Sequence, residues 1–207
     1  MATTPETALR KRGGRGARER ILKATVELFA RDGIHATGIA KLTEVAHVST
    51  RTLYKHFPSK EALVSAYLER LESDPNGPAN DETVLTRDDL EPRDRLVALF
   101  DAPAGDASTA PVMRGCPFHN TAVEGAGGMP EAAALVERHK RQLTADLIAT
   151  AEAAGADDPE RLGRQLTVVL EGARALATSL NDVHPFEDAR DLAVTLINDA
   201  IEASSSG

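Results

Sequence analysis

Two short apolar stripes joined through a tight turn constrain this chain more than any other feature. Ile39, Leu42, Val45 and Ala46 recur at helical spacing, and a second stripe, Leu53 and Phe57, follows behind Ser49. The segment between them, Ala46-His47-Val48, is long enough only for a tight turn, and Ser49 is a good N-cap for the helix it precedes. Upstream, Ile21, Thr25, Leu28 and Phe29, widened by Leu22 and Val26, predict a longer helix that Gly33 ends. Downstream, Ser59 caps a fourth helix with the stripe Leu63, Val64, Tyr67, Leu68 and Leu71. A helix, a tight turn and a short second helix is the layout that carries one helix into the major groove of DNA. With Leu53 and Phe57 committed to packing, Thr50, Arg51, Thr52, Tyr54, Lys55 and His56 face outward, and these groups hydrogen-bond phosphates and base edges. The free N–H groups at the start of that helix would also favour a phosphate. Periodicity alone is equally satisfied by a small amphipathic helix with a solvated face.

The distribution of charge, unlike its total, fits a nucleic-acid partner at one end of the chain. The net charge of the 207 residues is -8, which taken whole argues against DNA. Residues 1–58, however, hold 11 Lys and Arg against 5 Asp and Glu, whereas the remainder holds 13 against 27. A basic head on an acidic body is expected when one end alone meets phosphate. Arg10, Lys11, Arg12, Arg15 and Arg18 add either a basic arm reaching flanking DNA or a solvated disordered tail. The first 16 residues lack the apolar stretch of a secretory signal, and no run approaches the ~20 apolar residues of a membrane span. The single cysteine, Cys116, excludes an internal disulfide framework and a cysteine-based zinc cluster, so a reducing cytoplasmic location is expected.

The remaining segments also read as helices, giving an all-α chain of about nine. Residues 73–80 are turn-rich, Arg93 to Phe100 is a short helix, and Asp101 to Pro111 is expected as a mobile loop. Pro130 opens a helix to about Ala154, ended by Gly155, and Pro159 opens another to about Leu180. In the latter, Leu162, Leu166, Val169, Ala173, Leu176 and Leu180 form a heptad seam. The last helix, roughly Phe186 to Ala203, pairs Leu192/Ala193, Leu196/Ile197 and Ala200/Ile201. Two such helices serve either a core of their own or a dimer bundle. The expected divisions are 1–14, a disordered basic arm; 15–60, a three-helix DNA-binding domain; 61–203, a helical effector-binding and dimerisation domain; and 204–207, a disordered tail.

The stretch from Gly33-Ile34-His35-Ala36-Thr37 to Leu63 resembles the TetR family of bacterial regulators. The signature is Thr52-Leu53-Tyr54-x-His56-Phe57-x-Ser59-Lys60-Glu61-x-Leu63, and the likeness runs over residues 18–71. The resemblance implies phosphate contacts at Thr37, Tyr54, His56 and Lys60, and contacts to base edges or neighbouring phosphates at Thr50, Arg51, Thr52 and Lys55. Arg51 is the expected base reader, because a guanidinium grips guanine bidentately, with a phosphate contact as the alternative. Two positions depart from the pattern: His47 stands where the turn usually has Gly, and Thr43 where the second helix has Ala. Gly38 is expected to weaken that helix's first turn. The family further implies a homodimer through the last two helices, reading a palindromic double-stranded operator.

Gly115-Cys116-Pro117-Phe118-x-Asn120 resembles a segment of one branch of these regulators. It suggests a small-molecule effector near Phe118, His119, Asn120 and Glu124, with Glu171, Arg174, Met113 and His139 as further candidates. His119 and Asn120 would otherwise simply satisfy local backbone, and Cys116 would be a small buried hydrophobe rather than a sensor of oxidants. With aromatic residues at 3%, a modest-sized or aliphatic effector is favoured over a flat aromatic one. No cofactor is expected. An enzyme is not expected either, since His119 with Cys116 or Glu124 lacks a third supporting group and a phosphate loop. A metal site from His119, Cys116, Glu124 and His139 has no diagnostic spacing, and an architectural DNA-bending protein would spread basic charge over the whole chain. The expectation is a transcription regulator, most simply a repressor released by an effector. The alternatives are an activator, an orphan regulator, and a redox- or metal-responsive one acting through Cys116.

Overall fold

The computed structural model describes the backbone of residues 6–74, 80–107 and 115–205. These form nine α-helices and one 3-10 helix: α1 Glu6–Asp32, α2 Ile39–Val45, α3 Thr50–His56, α4 Lys60–Ser73, a 3-10 helix Asn80–Thr86, α5 Pro92–Ala107, α6 Pro117–Glu124, α7 Pro130–Ala153, α8 Pro159–Leu180 and α9 His184–Ser205. The chain divides into two compact units, residues 1–73 with 120–135, and residues 74–119 with 136–207. Both α6 and α7 therefore contribute residues to each unit.

In the first unit, α1 ends as its sequence requires: Gly33 takes a φ of 90° and its N–H donates to the Phe29 carbonyl at 3.0 Å. The side chains of Ile21, Leu28, Leu42, Leu53, Leu63 and Leu68 are completely buried, and Phe29 meets Tyr67 edge-on at 5.2 Å. Ser59 caps α4, its hydroxyl accepting from the Ala62 N–H at 3.0 Å. Arg70 on α4 donates to both oxygens of Glu19 on α1, at 3.2 and 2.8 Å, and this pairing holds the Glu19 carboxyl below its ordinary range. The unit is larger than residues 15–60, because it includes all of α4 and residues 120–135. Two carboxylates fasten that last segment. Glu124 accepts from the His35 N–H at 2.6 Å, and Glu61 accepts from the Glu131 N–H at the start of α7 at 2.9 Å.

The second unit is built on α8. Asp158 caps it by accepting from the Arg161 N–H at 2.9 Å, Pro159 opens it, and Asn181 in the left-handed conformation (φ 52°) closes it. Gly163 lets α7 and α8 approach closely, since a Cβ there would lie 2.5 Å from Ile148 Cγ1 and 2.8 Å from the Ile148 nitrogen. The core draws on Leu96 and Leu99 of α5, Leu143 and Leu147 of α7, Leu166 and Leu170 of α8, and Ala193 and Ile197 of α9.

The heptad seam does not survive as one surface. Leu162, Leu166 and Ala173 are buried in this unit's own core with Val169 packed against them, whereas Leu176 and Leu180 are 54% and 63% exposed. An i±4 ridge points outward instead: Val168, 72% exposed, then Gly172, Leu176 and Leu180. Spacing alone does not show this: on a straight α-helix of about 3.6 residues per turn the seam positions share one face, and only the neighbouring elements decide which of them are covered.

Other boundaries also shifted. α5 continues past Phe100 to Ala107, where a loop was expected; Ala102, Ala104 and Ala107 are strong helix formers. Of the expected N-terminal arm, residues 1–5 lie outside the described residues and the rest falls within α1. Of the expected tail, Ser204 and Ser205 fall within α9 and residues 206–207 lie outside the described residues, as does Met113.

Candidate DNA-binding site

α2, the turn after it and α3 form a helix-turn-helix laid on α1. α2 ends at Ala46, the His47 N–H donates to the Glu44 carbonyl at 3.2 Å, and the Val48 N–H donates to the Thr43 carbonyl at 3.0 Å. That pair of bonds is a Schellman ending, in which the residue after the cap must be left-handed. His47 meets the requirement with a φ of 51° despite its Cβ. The Thr43 hydroxyl donates to the Ala40 carbonyl at 2.9 Å, so this departure leaves no unpaired donor. Gly38 is the N-cap of α2, extended at φ -82° and ψ 156°, rather than a residue of its first turn. Its cost is only a missing side-chain cap, a few tenths of a kcal/mol.

α3 is anchored from below and presented outward. Leu53 and Phe57 are buried, and the Arg18 guanidinium lies over the Phe57 ring, 5.3 Å from its centre. Arg18, grouped by sequence with the basic arm, thus packs against the residue that ends α3. Ser49 caps the helix by accepting from the Thr52 N–H at 3.1 Å and also pairs with the Thr52 hydroxyl at 2.8 Å. One of the N–H groups expected to serve a phosphate is therefore occupied. Thr50, Arg51, Tyr54 and Lys55 are exposed, and Thr52 and His56 are half-buried. Lys60, in the first turn of α4, is half-buried as well; burial lowers its pKa, partly opposed by the Glu124 carboxylate. Thr37 differs from the rest of the set. It is buried and its hydroxyl donates to the Gly33 carbonyl at 2.6 Å, so its side chain serves the α1–α2 turn.

The effector candidates separate between the units. Glu124 lies in the first unit, on the His35 backbone, and Asn120 begins that unit's second segment. Phe118, Glu171 and Arg174 converge in the second unit with His139, also a candidate, and with Glu82 and Lys140, which were not among the candidates. The Phe118 ring is completely buried and stacks on His139 with centres 3.6 Å apart. Arg174, only 7% exposed, donates to Glu171 at 3.0 Å and Glu82 at 3.3 Å. Lys140 donates to Glu171 at 2.7 Å and to Cys116 Sγ at 3.4 Å, and His139 Nε2 lies 3.5 Å from Glu82.

Burial pushes both carboxylates of this cluster up, and the basic groups around them outweigh it. Glu82 is held below its ordinary range by His139, Arg174 and Lys140, and Glu171 by Lys140 and Arg174. Gly115 makes the cluster possible: its φ is 63°, and a Cβ there would collide with the Thr178 hydroxyl on α8. Glu82 and Lys140 carried no sequence signal of their own, since neither belongs to a motif. His119 is half-buried at the same helix start. Among the described residues no group of three or more His, Cys, Asp or Glu is placed to hold a metal ion, and no helix is long and apolar enough to cross a membrane.

Comparison with known proteins agrees with this arrangement. Residues 21–67 match the family model described as bacterial regulatory proteins of the tetR family, and residues 92–193 match a tetracyclin repressor-like C-terminal domain. The HTH-type transcriptional regulator UidR of Escherichia coli is 41% identical over 51 residues, 25% of this chain and 26% of UidR. RutR of the same organism, also an HTH-type transcriptional regulator, is 37% identical over 65 residues, 31% of each chain. The chain thus aligns with about a third or less of either relative. The solved structure of a TetR-type transcriptional regulator of Streptomyces avermitilis is similar throughout, at 32% identity and a TM-score of 0.74, covering 90% of this chain and 98% of that one. The chain belongs to the TetR family of bacterial regulatory proteins: it is a DNA-binding, helix-turn-helix transcription regulator and not an enzyme.

Proposed function

We propose that the protein is a homodimeric repressor that holds a palindromic operator through α3 and releases it when a small molecule binds the second unit. The reading of DNA by α3 is supported above all by its exposed set, Thr50, Arg51, Tyr54 and Lys55, on a helix anchored by Leu53 and Phe57. Arg51 reads a base, and Tyr54, His56 and Lys60 hold phosphates. At Thr37, with its side chain turned inward, a phosphate contact falls to the backbone. Dimerisation through α8 and α9 is supported by the outward ridge Val168, Gly172, Leu176 and Leu180 and by exposed Leu192 on α9. Two-fold symmetry then sets two recognition helices about one DNA turn apart.

Effector control is supported by the polar cluster around Arg174 and by the fact that α6 and α7 supply residues to both units. An effector that prefers one arrangement of these helices shifts the population of DNA-competent dimers. Footprinting the purified protein on its own upstream region tests the operator claim. A protected palindrome is expected; its absence there and in a genomic fragment pool would sink it. Thermal shift with candidate small aliphatic acids and amides tests the effector claim, since a bound ligand raises apparent stability.

A second reading, release through Cys116, is favoured by the Lys140 ammonium donating to its sulfur. Under this reading, N-ethylmaleimide abolishes operator binding by the native protein and leaves Cys116→Ser unaffected. Equal responses from the two would discard it.

A further inference from the structure

The helix-turn-helix carries an unusual pairing on its α1 side. The Arg20 Nε–H donates to the Ala46 carbonyl at 3.1 Å, across 26 residues of chain. Ala46 is the last residue before His47, and a non-glycine residue there holds the left-handed conformation. The end of a helix leaves its final carbonyls without backbone donors. Here the Thr43 and Glu44 carbonyls are taken by the Val48 and His47 N–H groups, and the Ala46 carbonyl is taken by Arg20. A guanidinium at a helix C-terminus also interacts favourably with the negative end of the helix dipole. Everything that follows the turn, including Ser49 and the outward face of α3, takes its direction from the peptide that Arg20 holds.

We propose that Arg20 is a positioning residue for DNA recognition, compensating for His47 by locking the α2–α3 turn against α1. It acts through the turn and needs no DNA contact of its own. The rival is a direct phosphate contact by Arg20, an ordinary role for an arginine near a basic surface.

A double-mutant cycle on the full chain separates the two, using Arg20→Ala, His47→Gly and the pair, with Arg20→Lys as a charge-keeping control. The first readout needs no DNA. Arg20→Ala is expected to speed hydrogen exchange of the His47 and Val48 amides at least tenfold, and His47→Gly in the same chain is expected to restore most of the protection. The second readout uses a duplex selected from random sequence by the native protein and a scrambled duplex of equal length. Arg20→Ala is expected to weaken the selected duplex about tenfold and the scrambled one less than threefold, with His47→Gly recovering the difference. Arg20→Lys is expected to keep the charge but lose part of the selected-duplex affinity.

Equal loss on both duplexes, a salt slope lower by about one and no rescue by His47→Gly would make Arg20 a phosphate ligand and overturn the proposal. Unchanged amide exchange in Arg20→Ala would overturn it whatever the DNA result. Should Arg20→Ala fail to fold, recovery of folding by His47→Gly supports the proposal and a second unfolded variant refutes it.

Discussion

Arg51 and Lys60 are both cations of the first unit, but their surroundings differ. Arg51 is exposed near the start of α3, where a helix in the major groove meets base edges, whereas Lys60 is half-buried at the start of α4 with Glu124 near it. Arg51→Ala is expected to erase discrimination at one operator base pair, about 1–3 kcal/mol, while leaving scrambled-duplex binding nearly unchanged. Tyr54→Phe and Lys60→Ala are expected to weaken all duplexes alike, and Lys60→Ala to lower the salt slope by about one. Titrating each variant against the operator and its single-base variants checks this. Identical profiles for all three would refute the division of roles. At this scale the exposed set on α3 was legible from its spacing against Leu53 and Phe57. Thr37 was not, because nothing in the sequence says that its hydroxyl turns inward to Gly33.

Among the elements, α8 shows how one helix serves two surfaces. Leu166 and Leu170 are completely buried in the second unit, while Val168, Leu176 and Leu180 project outward. Leu166→Ala should cost the fold about 2–5 kcal/mol in a denaturant titration. Leu176→Glu with Leu180→Glu should instead leave the monomer folded and abolish dimerisation, read by sedimentation equilibrium. A dimer that persists in the double variant would move the interface elsewhere. The capping residues Gly33, Ser49, Ser59, Gly155 and Pro159 were all readable, because capping is local chemistry. The 3-10 helix Asn80–Thr86 was not, since seven residues of tight helix carry no periodic stripe.

For the whole molecule, the ionised cluster ties stability to pH. Glu82 and Glu171 are held below their ordinary value of 4.5, so their contribution is present above that value and is lost as pH falls through their lower native values. Glu171→Gln should therefore cost roughly 1.5–3 kcal/mol at neutral pH through lost charged hydrogen bonds. Its deficit against the native protein should shrink as acid protonates Glu171. Urea titrations stepped from neutral pH to below 4 check this, and a deficit constant with pH would show that Glu171 is not ionised in the fold.

Most helix starts and stops and the family were readable from the sequence alone, because periodicity, caps and the Thr52–Leu63 signature act over a few residues. Which side of α8 is core, where residues 120–135 belong, and which charges meet around Arg174 were decided only by tertiary structure. Those outcomes depend on contacts between residues far apart in the chain, such as Lys140 with Glu171 across 31 positions and Arg174 with Glu82 across 92, and no local pattern encodes them.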